Sequence, residues 1–150
     1  MTENHVIFRR AIMPGELPLC HEIRRVVFVE GQNVPQDLEV DGRDRQCMHW
    51  LGFDSDVSFA TARVMPLPDK LKIQRVAVLE AYQGRGFGGA IMATILHDLR
   101  ELDTDRRPAF LSSQVHAIPF YERLGFEVCS ASYLEAGIEH RDMKRLLSPA

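Results

Sequence analysis

The sequence predicts an α/β chain of the mixed α+β kind, built on one sheet with helices after the first, fourth and fifth strands. Three observations carry this. Short runs rich in β-branched or aromatic residues recur along the chain, among them Val6–Ala11, Met48–Phe53, Ser58–Val64 and Ile73–Val78. Between them lie segments of helical spacing, one carrying Leu19, Ile23, Val26 and Val27 and another Ile91, Ile95, Leu99 and Leu102. The length of 150 residues, with 45% hydrophobic and 26% charged side chains, suits one domain (1–150) with a real core.

Taken in order, Val6–Ala11 is a first strand ended by Pro14-Gly15, and a helix follows from Glu16 to before Gly31. Gly31–Arg45 has no clear period and is rich in acids, so it is expected to be an ordered loop. Asp54-Ser55-Asp56 marks a hairpin between the second and third strands. Ile73–Val78 reads as the buried central strand, and an apolar helix begins near Ala90. A strand opens at Ala109–Leu111, and Ala117–Leu124 is a helix that Gly125 stops in a left-handed conformation. Phe126–Ser132 and His140–Leu146 are the expected closing strands.

A net charge of −3 gives no nucleic-acid footprint. No run approaches the ~20 apolar residues of a membrane span, and the first residues lack a signal-peptide pattern. Cys20, Cys47 and Cys129 are odd in number and unpaired in spacing, as reduced thiols would be. A cytoplasmic enzyme is expected. No His or Cys has metal-ligand spacing with another, so no metal is expected. Exposed sheet edges allow a homodimer.

The most informative stretch is Gln74–Gly89, where four glycines (Gly84, Gly86, Gly88, Gly89) fall between a strand and a helix. Backbone N–H groups there are unused, the helix dipole adds positive charge, and glycine lets a phosphate approach. A Walker A loop is excluded because no Gly-Lys-Ser/Thr occurs. Gly84-x-Gly86-x-x-Gly89 matches the dinucleotide pattern, but five residues, Leu79 to Gln83, separate it from the strand. No acid follows at the next strand's tip either, so the dinucleotide reading loses on context.

The remaining pattern, Gln83-x-x-Gly86-x-Gly88, resembles the acyl-CoA pyrophosphate loop of the GCN5-related N-acetyltransferases (GNAT superfamily). Downstream, Ala117-x-x-x-Tyr121-x-x-x-Gly125-Phe126 resembles that superfamily's second motif. The resemblance implies a mostly antiparallel sheet of about six to seven strands with helices on both faces. It implies acetyl-CoA as co-substrate, its pantetheine arm along Val76, Ala77 and Val78. Its pyrophosphate would lie on the backbone of Gln83, Gly84, Arg85, Gly86, Phe87, Gly88 and Gly89. Arg85 either adds charge toward a phosphate or is a solvated turn residue. Gln114 stands where many members carry Asn, so its contact to pantetheine departs from the pattern. Tyr121 matches the tyrosine that protonates the leaving thiolate; the competing reading is a core tyrosine flanked by Ile118, Phe120 and Leu124.

Gly137-x-x-His140-x-x-Met143, together with Arg24…Phe28…Gln32…Gln36 and Glu39-x-Asp41-x-x-Asp44, resembles the ElaA/YjcF-like branch. The central strand carries Gln74 and Arg75 but no carboxylate, which leaves His140 as the expected base. His49 is a weaker candidate for the same cleft. Phe28, Glu30, Glu39, Asp41 and Asp44 are expected to shape an acidic acceptor pocket for a cationic small-molecule amine, or else to form a solvated acidic loop. The expected reaction is direct attack of that amine in a ternary complex. Two alternatives stand beside it: a catalytically silent CoA-binding sensor, and an acyltransferase like the acyl-homoserine-lactone synthases.

Overall fold

The computed structural model describes residues 5–147. Eight strands form one sheet: β1 (Val6–Arg10), β2 (Met48–Asp54), β3 (Val57–Pro66), β4 (Leu71–Val78), β5 (Ala109–Gln114), β6 (Glu127–Val128), β7 (Tyr133–Glu135) and β8 (Ile138–Arg145). Their order is β1-β2-β3-β4-β5-β8-β6, with β7 also paired to β8. All pairings are antiparallel except β4 with β5. The helices are α1 (Glu16–Arg24), α2 (Gln36–Glu39), α3 (Phe87–Leu102) and α4 (Ile118–Arg123).

Alternation along β2 decides how the sheet is covered. Trp50 packs with Ile91, Ile95 and Leu99 of α3 on one face, while Leu51 packs with Cys20 and Ile23 of α1 on the other. The indole N–H of Trp50 donates to Asp98 at 2.8 Å, tying α3 to the sheet. Helices therefore cover both faces, as expected.

Several elements depart from the expectation. The first helix does not run evenly to Gly31: after Arg24 it widens into a π-helical turn, Arg25–Glu30. Its buried stripe is Glu16, Cys20, Ile23 and Arg24, with Leu19 exposed. Leu102 is likewise exposed, at the last residue of α3. Of the strand expected over Phe126–Ser132 only β6 forms; pairing breaks off there and resumes beyond it as β7, on the same edge of β8. Ser130 causes the break: its hydroxyl accepts the Asp142 N–H at 2.8 Å and its carbonyl accepts from Arg141, so side chain replaces ladder. Gly125 does take the left-handed conformation, φ 89°, and the Phe126 N–H closes back on the Tyr121 carbonyl at 3.1 Å.

Candidate active site

The site begins with a defect in β4. Opposite β3, Thr61 pairs with Ala77 and Arg63 with Gln74, so Arg75 and Val76 together face Ala62 alone. This is a bulge, and Arg75 occupies it with φ 57°, a left-handed conformation uncommon for a side-chain-bearing residue. On its other edge β4 pairs with β5 only at Leu71–Ala109 and Lys72–Phe110. Beyond that rung the strands part.

Into the gap opens a cleft of about 260 Å³. Lys72, Gln74, Arg75 and Val76 line it from β4, Leu111 and Ser112 from β5. Tyr121 closes it from α4, Phe28 from the π-helical turn, and Glu135 from the β7–β8 hairpin. Burial pushes the Tyr121 hydroxyl above its ordinary value, so at neutral pH it keeps its proton. It can donate.

At the far end of β4 the chain turns through the glycine loop into α3. The amides of Gly84, Arg85, Gly86, Phe87, Gly88 and Gly89 donate to no acceptor among the described residues; the first intrahelical bond is Ala90 N–H to the Gly86 carbonyl. Six consecutive donors at a helix N-terminus form a receptor for a multiply charged anion. Gly86 holds the turn with φ 84°, which a Cβ would oppose. Below the loop, Phe87 is buried against Phe59 and Phe8, and Tyr82 stacks on Phe59 at 4.2 Å between ring centres. Phe87 thus serves the site through its backbone alone. Arg85 lies over the rings of Tyr82 and Phe87, 5.4 and 5.0 Å from their centres, a placement neither reading of it foresaw.

Gln83 is not a free donor as expected. Its N–H goes to the Glu80 carbonyl and its side-chain amide donates to the Val78 carbonyl at 2.8 Å, so it braces the loop. Gln114 ends β5 opposite His140. Ala77 is buried in the α1-side core, whereas Val76 lines the cleft and shares Ala62 with Arg75 across the bulge.

The expected acidic pocket is where sequence and structure part. Arg24 and Arg63, each only 1% exposed, run into the midst of the acids. Arg24 donates to both oxygens of Glu39 (3.1 and 2.9 Å) and to Asp44 (2.7 Å). Arg63 donates to Asp41 (3.0 and 2.7 Å), to Asp44 (3.0 Å) and to the Gln74 amide oxygen (2.9 Å). Arg75 reaches Glu39 at 2.9 Å and Asp41 at 3.5 Å. Three carboxylates thus meet three guanidinium groups. The Arg63 bonds hold Asp41 at about 2. Burial opposes ionisation of Asp44, but the Arg24 and Arg63 bonds outweigh it and keep its carboxyl far below the usual range. None of Glu39, Asp41 or Asp44 lines the cleft.

Two further expectations are corrected on the same ground. His49 is buried away from the cleft, its Nε2 at 2.9 Å from the Asp44 carbonyl, and burial lowers its basicity. Glu30 is exposed and paired with Arg25. His140 stands behind the cleft wall, with Nδ1 at 2.8 Å from the Ile138 carbonyl and Nε2 at 3.5 Å from Glu135. Glu135 itself is the carboxylate that reaches the cleft, and sequence reasoning missed it. So were Lys72 and Arg63 missed, although a lone arginine in the apolar run Phe59–Met65 is a signal that a buried partner must exist.

Comparison with known proteins bears on this geometry. Residues 40–147 match the model of the acetyltransferase (GNAT) domain. The chain is 31% identical to the uncharacterized N-acetyltransferase YjcF of Bacillus subtilis over 124 residues, 82% of this chain and 87% of that protein. It is 35% identical to protein ElaA of Escherichia coli over 128 residues, 83% of each chain. The ElaA crystal structure superposes with a TM-score of 0.82, covering 93% of this chain and 99% of ElaA at 30% identity. A GNAT family acetyltransferase of Elizabethkingia anophelis, crystallised with acetyl-CoA bound, shares the fold at TM-score 0.73 and 12% identity, covering 95% and 99% of the two chains. A parted pair of strands, a glycine loop of free amides and this kinship agree: the chain belongs to the GNAT family of acetyltransferases.

Proposed function

We propose that the protein transfers the acetyl group of acetyl-CoA to a primary amine of a small molecule, by direct attack in a ternary complex. The observation that carries this is the run of unpaired amides from Gly84 to Gly89, set at the end of the strand whose bulge opens the cleft. Those amides would hold the diphosphate, with Arg85 near enough on its aromatic perch to add charge. The arm would follow β4 to Val76, which lines the cleft at the bulge.

The acceptor ammonium first loses a proton to Glu135, behind which His140 waits 3.5 Å away to take it on. The amine nitrogen then bonds to the carbonyl carbon and the C–S bond breaks. Sulfur keeps the electron pair and takes the proton of Tyr121, whose hydroxyl is kept protonated by burial; the second proton leaving the nitrogen, as it becomes an amide, restores the Tyr121 hydroxyl. No cysteine lines the cleft, so nothing there favours an acyl-enzyme.

Release of free CoA from acetyl-CoA, followed with a thiol reagent across amino acids, polyamines and amino sugars, tests the reading. Turnover with at least one amine is expected. Binding of acetyl-CoA with no release on any amine would make the protein a sensor of the cofactor instead.

A further inference from the structure

The direction in which the Gln74 amide faces is dictated from outside the cleft. A guanidinium carries five N–H donors, and all those of Arg63, 1% exposed, are spent. Nη1 and Nη2 serve Asp41 and Asp44. The remaining donors, on Nε and Nη2, converge on the Gln74 amide oxygen at 2.9 and 2.5 Å. Because a guanidinium has no acceptor, it admits the amide in one orientation, oxygen toward Arg63 and nitrogen away. The reversed amide would set N–H against N–H and strand donors of a buried cation.

The amide nitrogen is left over. Gln74 lines the cleft, and its Nε2 has no acceptor among the described residues and is not sealed from solvent. Other polar groups in the cleft are committed: Arg75 to Glu39 and Asp41, and the Ser112 hydroxyl to Asp142 at 3.1 Å. Lys72 has no ion pair or hydrogen bond among the described residues, but it stands at the closed end, on the last rung of β4 and β5. Gln74 lies between that rung and Val76, within the opened part.

We propose that Gln74 reads an oxygen on the acceptor, and that Arg63 is the positioning residue that aims it. The acceptor is then an amine that carries a hydrogen-bond-accepting oxygen, neutral or carboxylate, a few bonds from its nitrogen. The proposal rests on the acetyl-transfer reading above and names the substrate class for that same cleft. Val76, which the arm would reach, is two residues from Gln74, at most about 7 Å along the strand, so the nitrogen and the oxygen are near neighbours. A plain alkylamine would strip water from the amide N–H groups and offer nothing in return. A second ammonium would set donor against donor.

The test compares kcat/KM for CoA release within pairs of matched size and shape: 2-methoxyethylamine against butylamine, and glycine against isobutylamine. One oxygen is neutral and the other a carboxylate, so the pairs tell which of them the site reads. The pairs are assayed in the wild type, Gln74→Glu, Arg63→Lys and Lys72→Met, with folding followed by thermal melting. In the wild type the oxygen-bearing amine should lead in at least one pair by about 3- to 10-fold, the worth of one neutral hydrogen bond. Gln74→Glu still offers Arg63 an oxygen but turns another toward the substrate, so the ratio should fall to one or below. Arg63→Lys keeps a cation beside Asp41 and Asp44 but frees the amide to turn, so the ratio should shrink. A merely structural loss would slow both amines alike and leave the ratio standing, which would overturn the part given to Arg63. Equal rates within both wild-type pairs overturn the proposal, as does a ratio that survives Gln74→Glu; its loss in Lys72→Met would then assign the oxygen to the lysine. No release on any amine, with acetyl-CoA still raising the melting point, overturns the transfer reading and takes the acceptor proposal with it.

Discussion

Asp44→Ala separates a structural role for the acids from a substrate-binding one. Asp44 bridges two arginines that are 1% exposed, accepting from Arg24 at 2.7 Å and from Arg63 at 3.0 Å, with His21 on its second oxygen at 2.9 Å. Removing one member of a buried ion network costs about 3–5 kcal/mol, mostly through the charge left uncompensated. Here the low end applies, about 3 kcal/mol, because Arg24 keeps Glu39 and Arg63 keeps Asp41 and Gln74. For a chain of this size each kcal/mol shifts the midpoint by about 2–4 °C, so Tm should fall by about 6–12 °C. Differential scanning calorimetry reads it directly. In Asp44→Ala/Arg63→Met the losses should fall short of additive by about 1 kcal/mol or more, since the second change removes the stranded charge. A Tm within 2 °C of wild type with KM for amines raised about tenfold would refute the reasoning and return these acids to the acceptor.

Three further outcomes follow from the same geometry. Tyr121→Phe should lower kcat by about 100-fold while acetyl-CoA affinity, measured by calorimetric titration, holds within about twofold, because only the proton donor is lost. Gly86→Ala should cost about 1–2 kcal/mol from the forced left-handed backbone and weaken acetyl-CoA binding; no atom lies near the added Cβ, so an unchanged Tm would show that the turn relaxes freely. On acidification, Asp41 ionises at about 2 in the fold against about 3.9 unfolded, so its contribution is complete above pH 4 and fades as pH falls toward 2. Urea midpoints should drop through that window, and in Asp41→Asn the drop should be smaller.

Much of the site was legible because its determinants are local. The glycine turn after Gln83 and the left-handed stop at Gly125 are dictated by backbone geometry over a few residues, and Gly86 and Gly125 both have positive φ. The cleft residue Phe28 and the leaving-group candidate Tyr121 came from longer patterns, and both line the gap. What the sequence concealed depends on distant partners. Glu39, Asp41 and Asp44 sit in a polar segment and look solvent-facing, yet their partners come from residues 24, 63 and 75 on three other elements. Lys72 and Glu135 look ordinary for the complementary reason: nothing local marks a charge that is left unpaired. The bulge is also invisible in sequence, since a one-residue slip in register leaves composition unchanged.

That bulge explains what the ion network is for. Arg75 holds φ 57°, a conformation worth about 1–2 kcal/mol of strain in a residue with a Cβ. Its guanidinium is gripped by Glu39, which Arg24 in turn grips from the end of α1. The bonds therefore brace the strained residue, which lies just past the last β4–β5 rung at Lys72. The acids shape the cleft without entering it. Arg75→Gly and Arg75→Ala lose the same ion pair, so the difference between them isolates the backbone. Within a strand Ala normally exceeds Gly by about 0.5–1 kcal/mol. Here Gly should be the more stable by about 1 kcal/mol, because it alone takes a positive φ without strain. Equilibrium urea unfolding of the two variants measures this; Ala more stable than Gly would mean that the bulge straightens once Glu39 lets go and that the positive φ is not intrinsic to this point of the strand.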